Sequence, residues 1–250
     1  MILKRGIFLI IFIGFLISSV TSFLNLKKYD PIDDQPHSMI LGDLTLIWME
    51  AEQLKRDLHS GKNFFNSGIE YSRTYLPSKI IALYSYVAGK KLFENFESKK
   101  IQKGDGKLGF LIFQSLLYYF ALFFFHKKIL DFYNYDREKC FFITFFLALE
   151  PTIIQWHSSF WTESIFLSLQ LVTLGLIIHK TNNKFFSFIP GIFIGLMYLQ
   201  KTIAMFFIFP VIFYLIISKK KYRIISIGSL IFGYSIISIN SFSFNICLSI

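Results

Sequence analysis

A chain of 250 residues that is 54% hydrophobic and 19% aromatic, with only 17% charged side chains and a mean hydropathy of +0.51, is too apolar for a soluble domain of this length. Its net charge of +10 would suit a polyanion, but Lys and Arg cluster beside apolar runs instead of forming one basic stripe with interleaved aromatics. Nucleic acid is therefore excluded as the expected partner, in favour of membrane lipids and the anionic cytoplasmic leaflet.

Residues 1–25 read as a first transmembrane helix. Lys4 and Arg5 precede an apolar run from Ile7 to Val20, and Lys27 and Lys28 follow. No small-x-small cleavage site is evident, so the helix is expected to stay, with its basic start in the cytoplasm.

Residues 26–107 form a long polar insert, expected on the outer (periplasmic or luminal) side. It opens acidic, Asp30-Pro31-Ile32-Asp33-Asp34-Gln35-Pro36-His37, where two prolines favour extended backbone. After Gly42, Asp43 can cap a helix whose apolar stripe is Leu44, Ile47, Trp48, Ala51, Leu54 and Leu58. On this reading Glu50, Glu52, Lys55, Arg56 and Asp57 lie largely off the stripe, and Ser60-Gly61 stops the helix. Such a helix suits the interface plane, with Asp43 near headgroup level. Glu70, Tyr71, Arg73 and Tyr75 lead to Pro77, and a second insert helix is expected over Ser78–Phe93. It is too short for a hydrocarbon core that needs about 20 residues, so a surface position is expected.

Residues 108–241 read as six further spans, at about Leu108–Phe125, Phe141–Trp156, Glu163–Ile178, Phe185–Leu199, Ile203–Ile217 and Ile224–Ile239, with 242–250 as a short tail. The expected fold class is thus an all-α polytopic membrane protein of about seven transmembrane helices with a large outer loop carrying interfacial helices. The connections 126–139, 179–184 and 218–223 are basic and alternate with poorly charged turns. That alternation puts the insert, Trp161-Thr162-Glu163 and Gln200-Lys201 on the outer side. Cys140 and Cys247 then fall near opposite faces, and make neither a disulfide framework nor a metal site.

Three features share the outer side in this topology: the insert carboxylates, Glu163 at a helix start, and Lys201 among apolar neighbours. Each has a plain account. Lys201 can snorkel to the interface, Glu163 can complement a helix dipole, and Asp43 can simply cap. Lys201 can equally meet a lipid phosphate. The five histidines are scattered, with no H-E-x-x-H spacing, and no P-loop, G-x-G-x-x-G or G-x-S-x-G occurs. Zinc hydrolase, nucleotide-binding and serine hydrolase chemistry therefore have no sequence support.

Taken in order, these residues resemble a known family. A basic-start helix, an outer loop with Gly42-Asp43 opening an amphipathic helix that ends near Gly61-Lys62-Asn63, and Arg73-Thr74-Tyr75-Leu76-Pro77 resemble the polyprenyl-phosphate-sugar-dependent glycosyltransferases of the GT-C fold, among them protein mannosyltransferase and aminoarabinose transferase relatives. Phe160-Trp161-Thr162-Glu163-Ser164-Ile165-Phe166 looks like the Thr-Glu or Ser-Glu followed by an apolar residue and Phe at the outer start of the fourth helix. Gly191-Ile192-Phe193-Ile194-Gly195-Leu196 and then Gln200-Lys201 resemble Gly-x-x-x-Gly-Leu with Thr-Arg, Lys201 standing for the usual Arg. That change keeps the charge and loses bidentate geometry. Family members usually have more spans, so the chain is expected to be a compact or truncated member.

The resemblance implies an integral, multi-pass enzyme of a bacterial inner membrane that moves a sugar from a polyprenyl-phosphate donor to an acceptor glycan, lipid or protein on the outer face. It implies Asp43 as base, with Asp33 or Asp34 as substitutes, and Glu163 in support. Arg73 and Lys201 are the expected phosphate ligands, with Tyr71, Tyr75, Trp161 and Gln200 lining the substrate site. No cofactor is required, and a divalent cation is compatible with so many outer carboxylates. The alternative is a transporter or flippase subunit for a lipid-linked substrate, whose best mark is Glu150-Pro151 inside an apolar run. A non-catalytic membrane scaffold is the third reading.

Overall fold

The computed structural model describes residues 2–29, 43–61, 75–89, 107–134, 136–158, 162–179, 185–218 and 223–247. Among them the protein is all-helical, without strands. The helices are α1 (Ile2–Tyr29), α2 (Asp43–His59), α3 (Tyr75–Val87), α4 (Lys107–Phe132), α5 (Arg137–Leu149), α6 (Pro151–His157), α7 (Glu163–Ile178), α8 (Phe188–Gln200), a 3-10 helix (Thr202–Phe207), α9 (Ile208–Ser218) and α10 (Arg223–Cys247).

Among the described residues, two helices are long and apolar enough to cross a membrane: Gly6–Leu26 of α1, with 21 residues, and α4, with 26. At 1.5 Å per residue these reach roughly 31 and 39 Å, enough for a hydrocarbon core of about 30 Å. The α5–α6 pair makes a third if its two helices, bent by 49° at Glu150, act as one. The remaining apolar stretches, Glu163–Ile178, Phe188–Gln200, Thr202–Ser218 and Ile224–Ser238, are shorter. Apolar runs in the sequence do not reveal where a helix breaks. The run expected as one span from Phe185 begins its α-helix only at Phe188, and the run expected from Ile203 begins as a 3-10 turn.

The chain divides into two compact units. The first comprises Met1–Ile11, Tyr118–Leu147 and Ile165–Ile250. Its tightest packing is α8 on α10, where glycines let the backbones touch. A Cβ on Gly191 would collide with the Leu230 carbonyl and lie 3.1 Å from the Tyr234 nitrogen. One on Gly233 would collide with the Phe188 carbonyl, and one on Gly195 would lie 2.6 Å from Cβ of Ile237. Small residues one turn apart are the usual means of close approach between apolar helices. Beside this crossing, Ile194, Val211, Leu215 and Leu230 form the buried cluster. Hydroxyls in this unit bond to backbone carbonyls: within their own helices, Thr144 donates to Cys140 at 2.8 Å and Thr173 to Leu169 at 2.7 Å, and Tyr118 of α4 donates across to Leu147 of α5 at 2.7 Å. Polar groups without water must be satisfied this way. Large apolar side chains such as Phe120, Phe146, Phe209 and Phe213 remain mostly exposed, a surface suited to lipid.

The second unit comprises Phe12–Leu117 and Ala148–Ser164, and holds the insert helices. Here α2 begins at Asp43, where the periodicity places its start. It ends at a turn where Gly61 adopts φ +76, with its N–H on the Leu58 carbonyl at 3.1 Å. The second insert helix departs from the expected Ser78–Phe93 at both ends. It starts at Tyr75, since Pro77 falls in the first turn, where a missing N–H costs nothing, and it closes at Gly89 with φ +62. Tyr84 of α3 packs its ring at 5.3 Å from Phe110 and 5.4 Å from Phe113 of α4, docking the insert pair on that helix.

Candidate functional site

On α2 the buried stripe is Ile47, Glu50, Ala51, Leu54 and Asp57. Ile47, Ala51 and Leu54 of the expected stripe are buried; the correction is that Glu50 and Asp57, read as lying off it, are each 6% exposed as well. The spacing 47, 50, 54, 57 is as regular as the apolar set first chosen. α3 buries Ser78, Lys79, Ile81, Ala82 and Ser85, and the Lys79 ammonium lies within electrostatic reach of Glu50. Desolvation lowers the Lys79 ammonium from 10.5 to about 8, and the Glu50 carboxylate acts in the opposite sense. Gln53 donates to Asp57 at 3.1 Å. The insert thus carries two buried carboxylates and a buried amine that the sequence reading had not assigned to a site. The signal was present as a second heptad-like stripe on α2.

The turn before Glu163 is built on a polar network within the second unit. Gln114 of α4, fully buried, donates to the His157 carbonyl at 2.8 Å, closing an exposed end of α6. His157 Nδ1 and the Ser164 hydroxyl share a 2.6 Å hydrogen bond, tying the end of α6 to the start of α7. Asn25 of α1 donates to the Ser158 hydroxyl at 3.1 Å, and Ser18 and Ser115 bond at 2.9 Å. These contacts hold both flanks of the connection from which Glu163 emerges as the first residue of α7. Glu163 is half-buried and accepts from the Thr162 hydroxyl at 3.4 Å. In the sequence Gln114 is a polar amide inside the apolar run Leu108–Phe125, a signal the serines and histidine of the network lack.

Glu150 has a local explanation. It is the N-cap of α6, its carboxylate accepting from the Ile153 N–H at 2.7 Å, with Pro151 at the first helical position. The acid and proline that suggested a transport kink are accounted for as the cap and start of a new helix.

In the first unit, α8 ends at Gln200, which is fully buried, and Lys201 is extended (φ −149, ψ 126) before the 3-10 helix. Its N–H still reaches the Met197 carbonyl at 2.8 Å, and its side chain is half-buried. A break between apolar helices exposes backbone polar groups and places a cation there, as at ion and anion sites in broken membrane helices.

Of the residues expected at the site, Asp33, Asp34, Tyr71, Arg73 and Trp161 lie outside the described residues, and Asp43 and Tyr75 are placed by backbone only. Asp43, Tyr75 and Glu163 belong to the second unit, Gln200 and Lys201 to the first. Among the described residues no group of three or more His, Cys, Asp or Glu is disposed to hold a metal ion. Compared with known proteins, the chain matches no family model, no curated sequence and no solved structure.

Proposed function

We propose that this protein is a multi-pass GT-C-like glycosyltransferase of a bacterial inner membrane, taking a sugar from a polyprenyl phosphate. One observation carries the reading. The motif positions fall at helix ends: Asp43 opens α2, Glu163 opens α7, and Lys201 occupies the break after α8. Ends of apolar helices are where polar chemistry can meet a lipid phosphate without crossing hydrocarbon.

In this reading about seven spans carry the outer loop 26–107, the shorter apolar helices completing the set begun by α1 and α4. The acceptor hydroxyl oxygen attacks the anomeric carbon as the bond from that carbon to the phosphate oxygen breaks, with inversion. Asp43 takes the hydroxyl proton. The electron pair leaves on the polyprenyl phosphate, whose charge Lys201 and Arg73 stabilise. Asp33 or Asp34 can substitute for Asp43, and Glu163, Tyr71, Tyr75, Trp161 and Gln200 orient the sugar.

The test is mass spectrometry of lipids copurifying with detergent-solubilised protein, comparing the parent with Lys201→Ala and Arg73→Ala. The expected result is a polyprenyl phosphate or its glycosylated form in the parent, depleted in both variants. Bulk phospholipid alone in all three, under conditions where a known lipid-linked glycosyltransferase keeps its donor, overturns the assignment.

A further inference from the structure

Lys127 and Lys128 come just after the apolar run of α4, and their stems fold back along it. The Lys127 ammonium lies 4.5 Å from the centroid of the Phe123 ring, and the Lys128 ammonium 5.5 Å from that of Phe124. Side chains of a helix lean toward its N-terminus, so both charges sit about one turn back, at the rim of the apolar belt. A cation at that depth is costly until an anion joins it. Among the described residues neither ammonium has a carboxylate within ion-pair distance, Asp131 one turn on included. Lys139 is the contrast, 68% exposed and held by Asp136 at 2.8 Å.

Lys128 is also fixed from the side of α7. A Cβ on Gly175 would lie 2.8 Å from Cε1 of Phe124 and 3.5 Å from Cγ of Lys128, so the absence of a side chain there seats both the ring and the lysine stem. One turn further along, the ammonium donates to His179 Nδ1 at 3.3 Å. An ammonium can only donate, so Nδ1 accepts and the imidazole proton lies on Nε2. Phe186 packs against the same imidazole in a T-shaped contact, with centroids 5.4 Å apart. Ammonium and imidazole donors are thus set side by side, an arrangement suited to the two unesterified oxygens of a phosphodiester. Phe120, seven residues before Lys127 and on the same face of α4, is 64% exposed, where an acyl chain hanging from that phosphate would cover it.

We propose that Lys127, Lys128 and His179 form a binding site for the phosphodiester of an anionic phospholipid, with its acyl chains laid along Phe120. The site depends on α4 lying in the membrane and not on the sugar-transfer reading.

The test is native mass spectrometry of the full chain, stripped of lipid in detergent and titrated with phosphatidylglycerol or with phosphatidylcholine, which has the same phosphodiester but no net charge. The parent should bind phosphatidylglycerol about tenfold more tightly. Lys128→Gln should lose about tenfold of that affinity. Lys139→Gln removes the same charge from an ammonium already paired, and should lose less than about twofold. Gly175→Ala keeps every charge but displaces the Phe124 ring and the Lys128 stem, and should lose several-fold. Equal losses in Lys128→Gln and Lys139→Gln, equal affinity of the parent for the two lipids, or unchanged affinity in a folded Gly175→Ala protein overturns the proposal. Lys128 is half-buried at a helix end, so its variant decides the matter even where the glycine variant does not fold. Phosphatidylglycerol that stays bound against excess inorganic phosphate supports the lipid, whereas its displacement assigns the site to a soluble phosphate compound and overturns the lipid assignment.

Discussion

Gly191→Ala adds one methyl group at the α8–α10 crossing, and the structure gives its cost a sign. The new Cβ meets the Leu230 carbonyl, a backbone atom inside a helix, and cannot swing aside as it could from a flexible side chain. The helices must part by about 1 Å, loosening the contacts around Ile194 and Leu230; overpacking of this kind costs typically about 1–3 kcal/mol. At roughly 2–4 °C per kcal/mol for a chain of this size, the midpoint falls by about 2–12 °C. Gly233→Ala meets the Phe188 carbonyl from the other side and should behave alike. Gly228→Ala is the internal control. It lies on the same α10 with nothing within 4 Å of the new Cβ, so only helix propensity changes, a gain of up to about 1 kcal/mol. Thermal unfolding in one detergent, read by loss of monodisperse protein, compares the three. Equal midpoints for Gly191→Ala and Gly228→Ala would refute the close crossing.

Removing the Gln114 amide in Gln114→Leu leaves the buried His157 carbonyl without that donor and should cost about 1–3 kcal/mol, seen as a lower unfolding midpoint. Glu150→Ala should cost about 0.5–2 kcal/mol through the lost cap, and Glu150→Asn, which keeps a capping oxygen without charge, should recover most of it. If Glu150→Asn instead abolishes movement of a lipid-linked substrate at unchanged stability, the transporter reading replaces the enzyme. Lys79 gives a pH dependence. Its ammonium is lowered from 10.5 to about 8 in the folded insert, so between those values the unfolded chain holds the extra proton. Stability should therefore rise from pH 8 toward 10.5, by at most about 3 kcal/mol, and the rise should vanish in Lys79→Met. Asp43→Asn should abolish sugar transfer while leaving the unfolding midpoint in place; transfer that survives would remove Asp43 as the base.

Local chemistry was legible in the sequence wherever a short stretch decides its own conformation. Asp43 as the start of α2, Gly61 as its stop and Glu163 as the start of α7 follow from capping and periodicity, interactions that span a turn or two. So does the helical, strongly apolar class, which needs only composition and run length. The tertiary structure decided what depends on a distant neighbour. Ile47, Ala51 and Leu54 are buried as their periodicity predicts, but Glu50 and Asp57 are buried with them in a packing that includes α3, which no stretch of α2 alone specifies. Gln114 has its role because the carbonyl end of α6 reaches it, and Gly191 because the α10 backbone does. Periodicity names the candidate faces of a helix, but the free energy that chooses between them belongs to the surface packed against it.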